Sequence, residues 1–236
     1  MRRRSLLTWI GASAAGSVLP LSAASSQSQK KTGVISLESF GGTNSAQMPS
    51  MHDYFANTFV PVLRGIHNRP KIFLEAIVAP QTPQVLFVSA FPSFDEMLDT
   101  RNKLAAHPDI QRARAGFQAH VQSQVLVGGP DDLQFPADFK SLSMGIIELR
   151  SFFATANLSR EDVNAIFRRA GMKPILNASA TAGEHLPQLS CLVPFKDFGV
   201  REEAWARFES DPQWIKMQAR ATGTSIFKLA PYSTVA

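Results

Sequence analysis

Side chains able to do chemistry are few in this chain, and they are scattered. Five histidines (His52, His67, His107, His120 and His185) show no His-x-x-x-His or other ligand spacing, and each stands among non-coordinating neighbours. Metal sites need several converging donors, so each reads first as a surface or capped histidine, and no metal is expected. Should one act as a base, His52 or His67 is favoured, because they flank the first helix. Cys191 is the only cysteine, which excludes an intrachain disulfide and every multi-cysteine zinc or iron–sulfur site. It sits beside Leu192 and Val193 and reads as a buried, unreactive thiol rather than a nucleophile. Neither a Gly-x-Ser-x-Gly elbow nor a phosphate-cradling glycine loop occurs.

Glu148 and Arg150 alternate with Ile147 and Leu149, so on a strand both charges share one face. They either line a cavity and orient a ligand's polar group or form a structural ion pair; Glu38 and Glu75 invite the same two readings. Trp205, Phe208 and Trp214 read as core at helical spacing, with ligand contact as the second reading for each. No catalytic residue is assigned. The ligand-binding candidates are His52, His67, Glu148, Arg150 and Trp205.

The elements that position these residues follow an N-terminal leader. Three arginines, Arg2 to Arg4, precede a mildly apolar stretch from Leu6 to Leu21 and the small residues Ser22-Ala23-Ala24. This is the order of an export signal over residues 1–24, and Arg3-Arg4 before Ser5-Leu6-Leu7 resembles a twin-arginine signal. A bacterial periplasmic or secreted address is expected. Gly11, Gly16 and Pro20 make the stretch too short and too interrupted for the roughly 20 apolar residues of a membrane anchor. Removing the leader leaves 24 − 3 = 21 basic against 19 acidic residues, so most of the basic excess disappears. No basic stripe remains, and nucleic acid is excluded as a partner. Residues 25–32 read as a flexible tether.

Beyond the tether the chain repeats itself. Leu37-Glu38-Ser39-Phe40 recurs as Leu149-Arg150-Ser151-Phe152, an offset of 149 − 37 = 112. Phe91-x-x-Phe94 matches Phe195-x-x-Phe198, and His107-Pro108-Asp109-Ile110 matches Asp211-Pro212-Gln213-Trp214, both at 195 − 91 = 104. The extra residues of the first copy are expected in the Gly41–Ser45 loop. A period near ~100 residues marks a domain duplication rather than a solenoid, here spanning 33–130 and 143–232.

Each copy reads as strand, helix, strand, strand, helix, strand, the ferredoxin-like plan. In the first copy the opening helix carries Met51 to Ile66 with a kink expected at Pro61. A second helical stretch runs from Phe94 to about Val121, broken near Pro108, and a strand follows at Gln124–Val127. In the second copy Ser159 caps a helix that ends near Gly171. The strands are apolar on both faces, so a sheet's helix-free side must be covered, and the other copy's sheet is the natural cover. The expected fold is α+β: two ferredoxin-like domains packed sheet to sheet as an intrachain barrel with helices outside. His52 and His67 would then lie where a helix end opens toward the barrel mouth.

Ile147-Glu148-Leu149-Arg150-Ser151-Phe152, with Glu203-Ala204-Trp205-Ala206-Arg207 and Ser210-Asp211-Pro212-Gln213-Trp214, resembles the NIPSNAP domain. That family pairs a Tyr-Glu-Leu-Arg-like strand with an Asp-Pro-x-Trp element. The resemblance spans about 145–230. The first copy fits more loosely, and Ile110 stands in the tryptophan's place. The resemblance implies the dimeric α+β barrel superfamily and hands over no settled activity.

The expected function is non-catalytic binding of a small apolar ligand or a protein partner in the barrel cleft, by a monomer or homodimer with no cofactor. Abundant Phe, 17 against 2 Tyr, favours a dry cleft. The alternative, by superfamily analogy, is an oxygenase-type or haem-dependent enzyme.

Overall fold

A computed structural model describes residues 33–114, 119–136, 145–153 and 158–233. The leader and tether assigned to residues 1–32 lie outside the described residues. In the first half, β1 (Val34–Gly41) leads to α1 (Met48–Tyr54), a π-helical turn (Phe55–Phe59) and α2 (Val60–Ile66). Then follow β2 (Lys71–Val78), β3 (Gln84–Phe91), α3 (Phe94–Ala106), α4 (Pro108–Arg114) and β4 (His120–Val127). The second half repeats the plan with β5 (Ile146–Phe153), α5 (Arg160–Arg169), β6 (Leu176–Ala182) and β7 (Gln188–Phe195). It ends with α6 (Phe198–Glu209), α7 (Pro212–Met217) and β8 (Ala221–Leu229).

All eight strands close into one antiparallel barrel in the order β1-β3-β2-β8-β5-β7-β6-β4. The two sheets face each other as the apolar strands require, and they also join at both edges. Glu75 pairs with Lys228 where β2 meets β8, and Leu126 with Ala180 where β4 meets β6. Closure leaves no free edge to template pairing with another chain. Strand parity divides the side chains. Ile35, Leu37, Leu86, Ile147, Leu192 and Phe227 pack inside the barrel. Their neighbours in sequence face the helices, in one cluster per half.

Helix starts follow the local chemistry. Ser93, Ser159, Asp197 and Asp211 each accept a backbone N–H of the first turn of α3, α5, α6 and α7. Three expectations are corrected. The irregularity expected at Pro61 is a π-turn just before it. Pro61 lacks an N–H and its ring crowds the carbonyl four residues back, at Asn57, so the widened turn Phe55–Phe59 absorbs the strain. The residues that lengthen the first copy lie mainly in its opening helix, Met48–Ile66 against Arg160–Arg169, rather than in the Gly41–Ser45 loop. Finally, β4 starts at His120, not near Gln124, so Val121 is a strand residue opposite Phe40. Its alternation of Val121, Ser123 and Val125 with Gln122, Gln124 and Leu126 is a two-sided strand pattern that its polar composition conceals.

Candidate functional site

In the second half the space between helices and sheet is filled. Glu148 is fully buried on the outer face of β5. Its carboxylate accepts from Arg150 Nε at 2.8 Å, Arg201 Nε at 2.6 Å and Trp205 Nε1 at 2.9 Å. The Arg150 guanidinium lies 3.7 Å over the Trp205 ring and also reaches Glu209 at 2.9 Å. Trp205, Phe208 and Trp214 pack in series, edge-to-face and then tilted, with centroids 5.1 and 4.6 Å apart. Glu148, Arg150 and Trp205 therefore come together, but on the helix side of the wall; none faces the barrel interior. The structural ion pair is the reading this geometry carries.

The first half is built differently at the same places. Stepping back 205 − 101 = 104 residues from Trp205, Phe208 and Trp214 gives Arg101, Leu104 and Ile110. All three line a cavity of about 650 Å³ between the outer face of β1, β3 and β4 and the helices. Its deep wall is apolar: Phe40, Phe59, Leu63, Phe87 and Phe91 are all buried. The long opening helix supplies Tyr54, Phe59 and Leu63 to this wall. Arg101 folds down onto β1, where its Nε donates to Glu38 Oε1 at 2.9 Å and its Nη2 to Ser36 Oγ at 2.9 Å. Tyr54 hydrogen-bonds Arg114 at the end of α4, and burial raises its hydroxyl above the usual tyrosine range. Exposed Asn102, Ala105, Arg114 and Val121 form the mouth.

The candidate histidines lie elsewhere. His52 Nε2 is 3.2 Å from Glu75, whose other oxygen meets Lys228 at 3.0 Å, and its ring abuts Tyr232. His67, 2% exposed, packs at a tilt against Phe91 behind the cavity wall. Burial, with the Lys71 and Arg69 cations nearby, lowers its imidazole to about 4. Its Nε2 and the Ser89 hydroxyl are buried without a hydrogen-bond partner among the described residues. The histidines at the barrel mouth are His120 and His185, beside a second cavity of about 440 Å³ lined by Gln124, Gln188 and Ser151. Cys191 is buried under α5 and α6, and burial pushes its thiol up. Among the described residues no three His, Cys, Asp or Glu side chains gather to hold a metal ion.

None of His52, His67, Glu148, Arg150 and Trp205 lines the larger cavity. Of the charged residues singled out in the sequence, Glu38 does line it; most of the others that do are substitutions within a repeat and carry no pattern of their own. Ile110 in the tryptophan's place was visible, but Arg101 and Leu104 become informative only once α3 is laid over α6.

No curated protein sequence is similar to the chain. Among solved structures, a variant of chlorite dismutase from Candidatus Nitrospira defluvii superposes with a TM-score of 0.53 at 8% identity, covering 87% of this chain and 94% of that one. A DypB variant from Rhodococcus jostii RHA1, solved in complex with heme, gives a TM-score of 0.53 at 10% identity, with 86% and 94% covered. At such identities the likeness is one of fold. Residues 149–228 match the sequence model of the NIPSNAP family. The chain thus has the fold of the dimeric α+β barrels, closed here within a single chain, and residues 149–228 of its second half carry the NIPSNAP match.

Proposed function

We propose that this chain binds a small, largely apolar molecule in the cavity of its first half, without covalent chemistry. One observation carries the reading. The three aromatic positions that fill the second half are occupied in the first by Arg101, Leu104 and Ile110, and the space they leave is walled by phenylalanines. A volume of about 650 Å³ lies within the roughly 300–1,000 Å³ of small-molecule sites. The ionisable groups that could act as acid or base are already engaged: Glu38 with Arg101, and the protonated Tyr54 hydroxyl with Arg114. Neither is poised as a general acid or base.

A haem-dependent activity, suggested by the DypB fold neighbour, asks for an axial His, Cys, Met or Tyr. The described residues lining the cavity include no His, Cys or Met. Tyr54, the one donor of the right kind, is kept neutral by burial and bonded to Arg114. The donor set of this cavity does not fit haem.

The test uses N-phenyl-1-naphthylamine, a neutral apolar fluorophore. The wild-type protein is expected to enhance its emission, and the double variant Leu104→Phe/Ile110→Trp, which installs the second half's residues, to abolish the enhancement with the barrel still folded by circular dichroism. Unchanged enhancement in that variant sinks the reading. The export address belongs to the same proposal, supported by the Arg2–Ala24 pattern; the N-terminal sequence of the protein recovered from its host tests it.

A further inference from the structure

The ionised groups of the larger cavity do not balance, and their positions say which end of a ligand goes where. Three charges line it: Glu38, Arg101 and Arg114. Glu38 and Arg101 cancel, with Arg101 Nη2 2.7 Å from the carboxylate. Arg114 has a neutral partner, the Tyr54 hydroxyl, and among the described residues it forms no ion pair. Its neighbour Arg112, one turn of α4 from Asp109, does pair with that carboxylate. The site therefore carries one uncompensated positive charge, placed at the exposed mouth, while the phenylalanine wall lies in the interior.

Resting on the binding reading above, we propose that the cavity takes an amphipathic anion, a hydrocarbon or aryl-alkyl chain ending in a single carboxylate. The chain lies against Phe40, Phe59 and Phe87, and the carboxylate meets Arg114 at the mouth. A guanidinium offers a carboxylate two parallel N–H donors, a geometry that a neutral alcohol cannot exploit. Insertion tail-first leaves the anion in water-accessible surroundings, so its desolvation stays small. The second half has no counterpart: 104 residues beyond Arg114 stands Gln218, and the aromatic series closes the space.

Dodecanoic acid and 1-dodecanol, titrated calorimetrically into the full-length mature protein, test the proposal. Dodecanoate is expected to bind at least tenfold tighter than dodecanol. Arg114→Gln should erase that difference by weakening dodecanoate alone, and Arg114→Lys should restore part of it. Raising the ionic strength should weaken the acid and leave the alcohol unchanged. Equal affinities for both ligands, unaffected by Arg114→Gln, overturn the carboxylate assignment and leave the apolar site standing. Failure of both ligands to bind, with the neutral fluorophore likewise silent, overturns the site itself. Binding of dodecanoate that survives Leu104→Phe/Ile110→Trp places it elsewhere and overturns the proposal.

Discussion

Where the second half sets Trp205, Phe208 and Trp214, the first sets Arg101, Leu104 and Ile110 on the corresponding two helices over the corresponding strands. The strand beneath is altered in step. At an offset of 148 − 36 = 112, Glu148 replaces Ser36 and Arg150 replaces Glu38, so the polar cluster is rebuilt. In the second half a carboxylate with no exposed surface holds two arginines and an indole. In the first, a partly exposed carboxylate holds one arginine that folds down onto β1. A duplicated fold has thus kept one copy as a packed support and opened the other. The difference teaches that the barrel needs only one filled helix layer of this kind.

The largest expected effect lies in the filled half. Trp205→Ala removes the ring that touches Phe152, Phe167, Phe195 and Phe208, and should cost about 3–5 kcal/mol. Arg101→Ala, its counterpart, removes a guanidinium about a third exposed and should cost under about 1 kcal/mol. Urea unfolding of both variants measures the gap. Comparable losses would mean that the first half depends on Arg101 as a keystone, and the contrast would collapse.

Glu148→Gln comes next. Removing the charge leaves Arg150 and Arg201, both largely buried, facing a neutral amide, and about 3 kcal/mol should be lost. Glu38→Gln leaves Arg101 able to turn toward solvent and should cost less than about 1 kcal/mol. Equal costs at the two sites would show that the clusters do the same structural work.

Much of this architecture is legible in the residues. The repeated Leu-x-Ser-Phe and Phe-x-x-Phe elements give the duplication, and strands apolar on both faces demand a covering sheet. The alternation of Ile147, Glu148, Leu149 and Arg150 shows that two charges share a face. It cannot say which face, because β5 is walled on one side by the barrel interior and on the other by helices, both apolar. The cavity is harder still. It is made by what is missing relative to the other copy, and by the added length of α1 and α2 that brings Tyr54 and Phe59 over the sheet. Periodicity reports side chains that are present, so a void between two elements of ordinary pattern has no signature in either.

His67 sharpens the comparison by pH. Its imidazole titrates near 4 in the folded chain against about 6.5 unfolded. Below 6.5 the unfolded state takes up a proton that the folded state refuses until about 4. Stability from this site is therefore full above about 6.5 and lost as pH falls through that window. The loss should reach about 3 kcal/mol by pH 4. His67→Phe, which keeps a ring against Phe91, should flatten the unfolding midpoint between pH 6.5 and 4. An unchanged slope would assign the acid sensitivity to other groups.

The smallest effect compares the caps of the two broken helices. Asp211 Oδ1 accepts from Gln213 N at 2.8 Å and Trp214 N at 3.4 Å, while Arg169 clasps both carboxylate oxygens. The Arg169 bond holds this carboxyl below the usual aspartate range. Its contribution is present above the unfolded value of about 3.9 and is lost as pH falls through the lower folded one. In the first half His107 Nδ1 accepts a single bond, from Asp109 N at 3.3 Å. Asp211→Ala should therefore cost about 1 kcal/mol at neutral pH and less in acid once the carboxyl is protonated, whereas His107→Ala should cost a few tenths. The cap matters because Asp211 starts the helix that carries Trp214 into the filled layer, while His107 precedes the one that leaves Ile110 at the edge of the cavity. If the two variants cost the same at pH 7, the tight seating of α7 does not depend on its cap, and the difference between the halves rests on the aromatic side chains alone.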